Sequence, residues 1–268
     1  MRQRELDLAV SRAWPPREEL RIGSWRARID LGVTRRANSV LPHGEGARPS
    51  AAAIDALLQR TIAVYDSRGL TPWLQLTGAS WPHDLEEELD ARGWQTGIDP
   101  TLLLEGPLPR PNPGAVVRIT QAPEHAWVDA WWTVERRGGA EARAAAVGIL
   151  ERVPAPVAFA SVASGGVTAG VALGAVVQQT LVIECVATLP AVRRRGHART
   201  ITGALGAWGR ERGATRAVLA VQQQNAAARA LYATLGFAEV GAYTYARPAD
   251  RPDTRAGDRS RPARAGSR

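Results

Sequence analysis

Prolines stand at positions 107, 109, 111 and 113, at every second residue between Glu105 and Gly114. Each proline fixes φ and lacks an N–H, so this stretch cannot join a helix and holds the chain extended. It divides the 268 residues into two lengths that each suit an ordinary domain. The pattern predicts one domain over residues 1–106, a linker over 107–114, a second domain over 115–247 and a disordered, arginine-rich tail over 248–268.

The two lengths repeat one pattern. In the second, Ala228, Leu231, Tyr232 and Leu235 share one helical face, and Gly236 followed by Phe237 ends that helix as a glycine C-cap does. In the first, a helix over 83–92 carries Leu85 and Leu89 and stops at Gly93 and Trp94. An apolar strand precedes each helix (70–77 and 216–221), and another follows it (101–104 and 238–245). Upstream, a strand ends at Pro42 in one half and at Pro190 in the other, each succeeded by a long helix. Such self-similarity predicts two copies of one α/β unit.

The second half reads further as a strand over 115–120, helices over 123–134 and 140–151, and strands over 156–163 and 167–177 joined through Ser164, Gly165 and Gly166. An apolar strand over 180–188 and a helix over 199–212 follow, with Ile201, Ala204, Leu205 and Trp208 facing inward. The predicted fold class is α/β, with a central mixed sheet flanked by helices in each of two tandem units.

The net charge is +8, and all 34 basic residues are arginine. The segment Arg247 to Arg268 holds seven Arg against three Asp, about half of that charge, so nucleic acid is not an expected partner. Met1 to Val10 is charged and lacks the apolar stretch of a leader, and no apolar run nears the roughly 18 residues of a membrane helix. The expectation is a soluble, cytoplasmic protein with no membrane partner. Cys185, the single cysteine, cannot form an internal disulfide and sits in an apolar run, where it reads as a buried core thiol.

Residues 188–199 read Thr-Leu-Pro-Ala-Val-Arg-Arg-Arg-Gly-His-Ala-Arg. A strand stops at a proline, a basic turn follows, and small residues at 196 and 198 open a helix. Successive backbone N–H groups and the helix N-terminus then point at one spot, which suits an anion. Charged hydrogen bonds there contribute roughly 1.5–3 kcal/mol each, so several can hold a pyrophosphate. His125 and His197 have no partners at ligand or triad spacing, so no metal is expected, and His197 reads as lending its backbone to the turn. Trp131 and Trp132 read first as core, with the wall of an acceptor pocket beneath a Gly138-Gly139 lid as the alternative.

Arg193, Gly196 and Ala198 match, in place, the motif of the GNAT acyltransferase superfamily: Gln or Arg, two residues, Gly, one residue, then Gly or Ala. The resemblance extends to the element order over 115–247, the proline three residues before Arg193, and the helix from Asn225 to Leu235 running into Gly236-Phe237. Together with the segment from Arg35 to Pro42, the two-unit arrangement resembles actinobacterial tandem-GNAT proteins.

The resemblance implies an N-acetyltransferase that uses acetyl-CoA as co-substrate. The backbone of Val186, Ala187 and Thr188 would pair with the pantetheine arm, and the turn of Arg193, Arg194, Arg195, Gly196, His197, Ala198 and Arg199 would wrap the pyrophosphate. Asn225 would hold the arm from the far side, and Tyr232 is where the family places the hydroxyl that protonates the departing thiolate. A neutral amine would attack the thioester directly, with a backbone N–H near Val186 stabilising the oxyanion.

Two departures matter. Where many family members carry an acid on the strand before the last helix, this chain has Ala220 and Val221. Glu184, which shares a strand face with Val186 and Thr188, is the substitute general base, since a carboxylate left alone in an apolar strand becomes a stronger base. A structural Glu paired with an Arg is the alternative. In the first half, His43-Gly44-Glu45-Gly46-Ala47-Arg48 lacks the motif spacing, Leu89 stands in place of Tyr232 and Pro82 in place of Asn225. The first unit therefore reads as degenerate, supporting the second or shaping its acceptor site. A non-catalytic acyl-CoA binding or sensing protein is the alternative function. The acceptor amine and the oligomeric state, a homodimer included, are left open.

Overall fold

The computed structural model describes residues 2–135 and 138–253. The first half runs α1 (Arg2–Arg12), β1 (Glu18–Ile22), β2 (Trp25–Ile29), β3 (Ser39–Leu41), α2 (Ala51–Asp66), β4 (Trp73–Thr77), α3 (Leu85–Asp90) and β5 (Trp94–Gly106). The second runs β6 (Arg118–Thr120), α4 (His125–Glu135), α5 (Ala140–Glu151), β7 (Val157–Ser164), β8 (Val167–Val177), β9 (Thr180–Thr188), α6 (His197–Arg210), β10 (Arg216–Gln222), α7 (Ala226–Thr234) and β11 (Ala238–Pro248). Among the described residues no helix is long and apolar enough to cross a membrane.

All eleven strands form one sheet, in the order β1-β2-β3-β4-β11-β5-β10-β9-β8-β7-β6. The two halves exchange their last strands: β11 lies between β4 and β5 of the first half, and β5 lies between β10 and β11 of the second. Both neighbours of β11 and both neighbours of β5 are antiparallel to it, whereas β3 with β4 and β9 with β10 pair in parallel. The halves marked off at 107–114 thus share a continuous ladder.

Alternation along the strands separates two faces. Leu103, Trp73, Tyr243 and Tyr245 join a core under α1, α4 and α5. Leu102 and Leu104 point the other way into a core with Ile201, Leu205 and Trp208 of α6 and Tyr232 of α7. Leu74, Leu76 and Ala246 meet Ile54 and Leu58 of α2 and Leu85 and Leu89 of α3 on that same face. Helix α2 follows the expected logic: Ser50 caps it through Ala53 N–H at 3.2 Å, and Ile54, Leu58, Thr61 and Tyr65 form its buried stripe.

Five elements differ from the sequence expectation. Residues 2–12, read only as too charged for a leader, form α1, whose Leu6, Ala9 and Val10 are buried; the arginines lie on the opposite, wet side. The hairpin β1–β2 was not foreseen. The strand expected over 101–104 extends through 94–106 despite Gly97 and Pro100, because pairing with β11 continues along one edge past the end of the β10 ladder at Thr101 and outweighs those breakers, which surface as register shifts. The strand expected over 115–120 is confined to 118–120.

The proline stretch is seated against α6. A Cβ built on Gly206 would stand 2.0 Å from the Pro109 carbonyl oxygen, and one on Gly203 would stand 2.4 Å from that of Arg110. Part of the tail expected to be disordered is also engaged. Pro252 accepts a hydrogen bond from Thr71 at 2.8 Å, and Asp253 pairs with Arg35 at 2.7 Å; residues 254–268 lie outside the described residues.

Gly206→Ala therefore forces backbone apart from backbone, and chemical denaturation should register a loss of about 1–3 kcal/mol. Gly209→Ala, whose nearest neighbour is the Leu181 side chain at 3.2 Å, should cost clearly less.

Candidate active site

The site originates where two parallel strands part. The β9–β10 ladder runs from Thr180–Arg216 to Ile183–Leu219 and stops. Beyond it, β10 stays with β5 through Gln222–Thr101, while β9 stays with β8 to Thr188–Gly170. At the parting point β9 carries a bulge: Cys185, with φ +54°, and Val186 stand opposite the single Ala172. Helices α6 and α7 begin beyond the ends of these two strands, so both N-termini flank the opening.

A cavity of about 820 Å³ fills the gap, within the roughly 300–1,000 Å³ usual for small-molecule sites. Of the residues singled out in the sequence, Glu184, Val186, Asn225 and Tyr232 line it together. Ala187 and Thr188 and the turn over 193–199 do not; they continue along β9 to the rim at the start of α6. Trp131 and Trp132 serve both readings, packing edge-on with centroids 5.8 Å apart while facing the cavity. Cys185 is half-buried on the wall, a correction to its reading as a buried core thiol.

Glu184 is buried as expected, and it is not alone. Arg36, 148 residues away in the β2–β3 loop, grips it through two N–H···O bonds of 2.5 and 2.8 Å. Burial by itself would lower the Arg36 pKa and is the largest single influence; the Glu184 charge and hydrogen bonds, together with Tyr243 and Tyr245, outweigh it and raise the pKa, so the guanidinium is firmly protonated. Tyr232 is raised above the usual phenol range, chiefly by burial and then by Glu184, and holds its proton at neutral pH.

Asn225 caps α7, its Oδ1 accepting from Ala228 N–H at 3.1 Å, which leaves the amide NH₂ end as the part that can reach a ligand. In the turn, Arg193 donates to the Thr188 carbonyl at 3.2 Å, Arg194 and Gly196 take φ of +65° and +82°, and α6 starts at His197. A Cβ on Gly196 would meet nothing within 4 Å, so glycine is needed there for its left-handed backbone. The His197 Nε2 is buried without a hydrogen-bond partner, so its ring does no capping work. Arg199 bridges to Thr234 of α7 at 2.5 Å.

Several lining residues escaped the sequence reading because they come from the other half or from the exchanged strand: Trp14, Arg36, Thr101, Tyr243 and Tyr245. The one available signal was electrostatic, since a carboxylate in an apolar strand requires a cation.

The family model described as "Probable histone acetyltransferase Rv0428c C-terminal" matches residues 2–246. The chain belongs to this GNAT-type acetyltransferase family. The acetyltransferase is 25% identical over 257 residues to "Uncharacterized N-acetyltransferase YobR" of Bacillus subtilis, covering 90% of this chain and 97% of that protein. Its fold is similar to a GCN5-related N-acetyltransferase from Kribbella flavida, with TM-score 0.69, 15% identity and coverage of 92% and 95%. It is also similar to a tandem GNAT protein from the clavulanic acid biosynthesis pathway, with TM-score 0.55, 12% identity and coverage of 75% and 70%.

The acetyltransferase has a second parallel pair, β3–β4, whose cleft is closed. After β4 the chain turns back, so that Trp81 N–H donates to the Pro42 carbonyl at 2.7 Å and His43 bridges Ser80. Trp81 covers Gly44, where a Cβ would sit 2.6 Å from its ring. Asp7 of α1 fills the remaining space, 3.0 Å from His43 Nε2 and 2.7 Å from the Thr77 hydroxyl that donates to it. Asp7→Ala would leave the buried His43 ring and the half-buried Thr77 hydroxyl without their shared acceptor. The expected loss is about 2 kcal/mol or more by chemical denaturation.

Proposed function

We propose that the chain is an N-acetyltransferase that takes acetyl-CoA as donor and a primary amine as acceptor, with its active site in the β9–β10 opening. The observation that carries the reading is the coincidence, in one cavity, of a β-strand freed from its neighbour, a protonated buried Tyr232 and the Glu184 carboxylate. The free edge of Val186, Ala187 and Thr188 would take the pantetheine arm as an added strand, and the Asn225 amide would meet it from α7. Arg193 to Arg199, with their left-handed kinks and the N-terminus of α6, would receive the diphosphate.

In the transfer, the amine nitrogen forms a bond to the acetyl carbon and the bond from that carbon to sulfur breaks. A backbone N–H in the Cys185–Val186 bulge supports the carbonyl oxygen as charge builds on it. Tyr232 gives its proton to the departing sulfur and is reprotonated from water. Glu184 accepts an N–H of the acceptor, and the proton released leaves to solvent through the cavity mouth. The first half, whose own cleft is filled by Asp7, His43 and Trp81, supports the second and walls its acceptor end.

A non-catalytic acyl-CoA sensor would share the cleft and lack the need for a positioned acid. Tyr232→Phe should lower kcat by about 10²-fold or more with acetyl-CoA affinity by calorimetry little changed; unchanged turnover would sink Tyr232 as the acid. Calorimetry should also give one acetyl-CoA per chain, and Gly196→Glu, which sets a carboxylate and a strained backbone at the diphosphate, should abolish that binding.

A further inference from the structure

The pair of Arg36 and Glu184 joins the two halves of the chain at the one place where chemistry is expected. Glu184 is the last residue of β9 before the bulge, next to the N–H groups offered to the carbonyl oxygen, and its side chain is 5% exposed. The guanidinium takes it end-on, through both terminal nitrogens, which fixes the carboxylate plane and leaves its other lone pairs to point elsewhere.

Arg36 is itself immobilised. Its guanidinium lies over the Trp14 ring at 5.1 Å. The loop that carries it is pinned by Asn38, whose Oδ1 accepts from Asp30 and Gly32 N–H at 2.8 and 3.1 Å and whose amide donates to Thr34 at 2.7 Å. Neighbouring Arg35 stacks on Trp73 at 4.3 Å. With the loop held this way, an ion pair opening on a cavity is not required for stability, since apolar residues of like size would serve as well or better.

We infer that Arg36 is a positioning residue of the acetyl transfer, holding the Glu184 carboxylate in the orientation that receives an N–H of the acceptor's neutral reacting amine beside the bulge. This rests on the acetyltransferase reading above. Arg36 touches neither substrate; it acts through Glu184.

The test uses the full chain with saturating acetyl-CoA and three probe acceptors: 1,4-diaminobutane, spermidine and a lysine-containing tetrapeptide. Wild type should acetylate at least one. Arg36→Met should lower kcat/KM for that acceptor by about 10²-fold, the scale of a misplaced reacting group, with the acetyl-CoA Kd unchanged by calorimetry. Arg36→Lys, which keeps the charge and loses the fork, should recover part of the loss. In a Glu184→Gln background, Arg36→Met should cost nothing further. Unchanged kcat/KM in Arg36→Met, or losses that add in the double variant, overturns the inference. So does wild type that binds acetyl-CoA and acetylates none of the three. A wild type that fails to bind acetyl-CoA overturns the acetyltransferase reading instead. If Arg36→Met does not fold by circular dichroism, Arg36→Lys carries the same comparison.

Discussion

The side-by-side pairing of β5 and β11 is the constraint on which the rest of the molecule depends. Each strand ends one half and is inserted into the other, so neither half has a complete sheet by itself. Tyr243 and Tyr245 reach the cavity because β11 crosses the middle of the sheet, and Thr101 reaches it because β5 stands next to β10. The β2–β3 loop is brought over β9 by the same exchange. An ion pair 148 residues apart in sequence is thereby made local in space.

The two parallel strand pairs start alike and end differently. Both pairs diverge after a short ladder, and divergence exposes backbone groups that must find partners. In the first half the partners are internal: the returning segment at Ser80 and Trp81 closes the gap, and Asp7 with His43 and Thr77 fills it with a hydrogen-bonded cluster. In the second half no returning segment among the described residues bridges the two strands. The bulge at Cys185 turns β9 away from β10, and Gly196 and Arg194 bend the following turn so that its amides stay at the rim. One half keeps its stability in that place, and the other keeps an opening.

How much of this was legible in the sequence follows from how local each determinant is. The elements of the second half from α4 to β11 were readable in order because their apolar periodicity and their glycine and proline stops lie within each segment. The turn before α6 was readable as a turn for the same reason, since the proline at 190 and the left-handed Gly196 that set its course lie within it. Helix α1 was not, since its apolar stripe is narrow and its arginines mask it. The extent of β5 was not, since Gly97 and Pro100 argue locally for a break and only the long-range pairing with β11 overrides them. For Glu184 the sequence supplied burial, through the apolar run around it. It could not supply the partner, because nothing near Thr34 or Ala37 marks the intervening Arg36 as different from thirty-three other arginines.

Charge is partitioned along the site in a way that composition alone conceals. The arginines at 193, 194 and 195 are exposed on the rim, beyond the end of β9, where an anionic diphosphate would approach. The carboxylates of Glu184, Asp99 and Asp253 lie inside, with aromatic rings between them. Arg36 holds Glu184, and Arg35 holds both Asp99 and Asp253, so these acids carry counter-ions from the first half. Fields in a low-dielectric cleft are focused, so the basic rim would draw an anionic donor toward the opening before it touches. The first half, having closed its own cleft, thus supplies the cations that fix the acids of the wall.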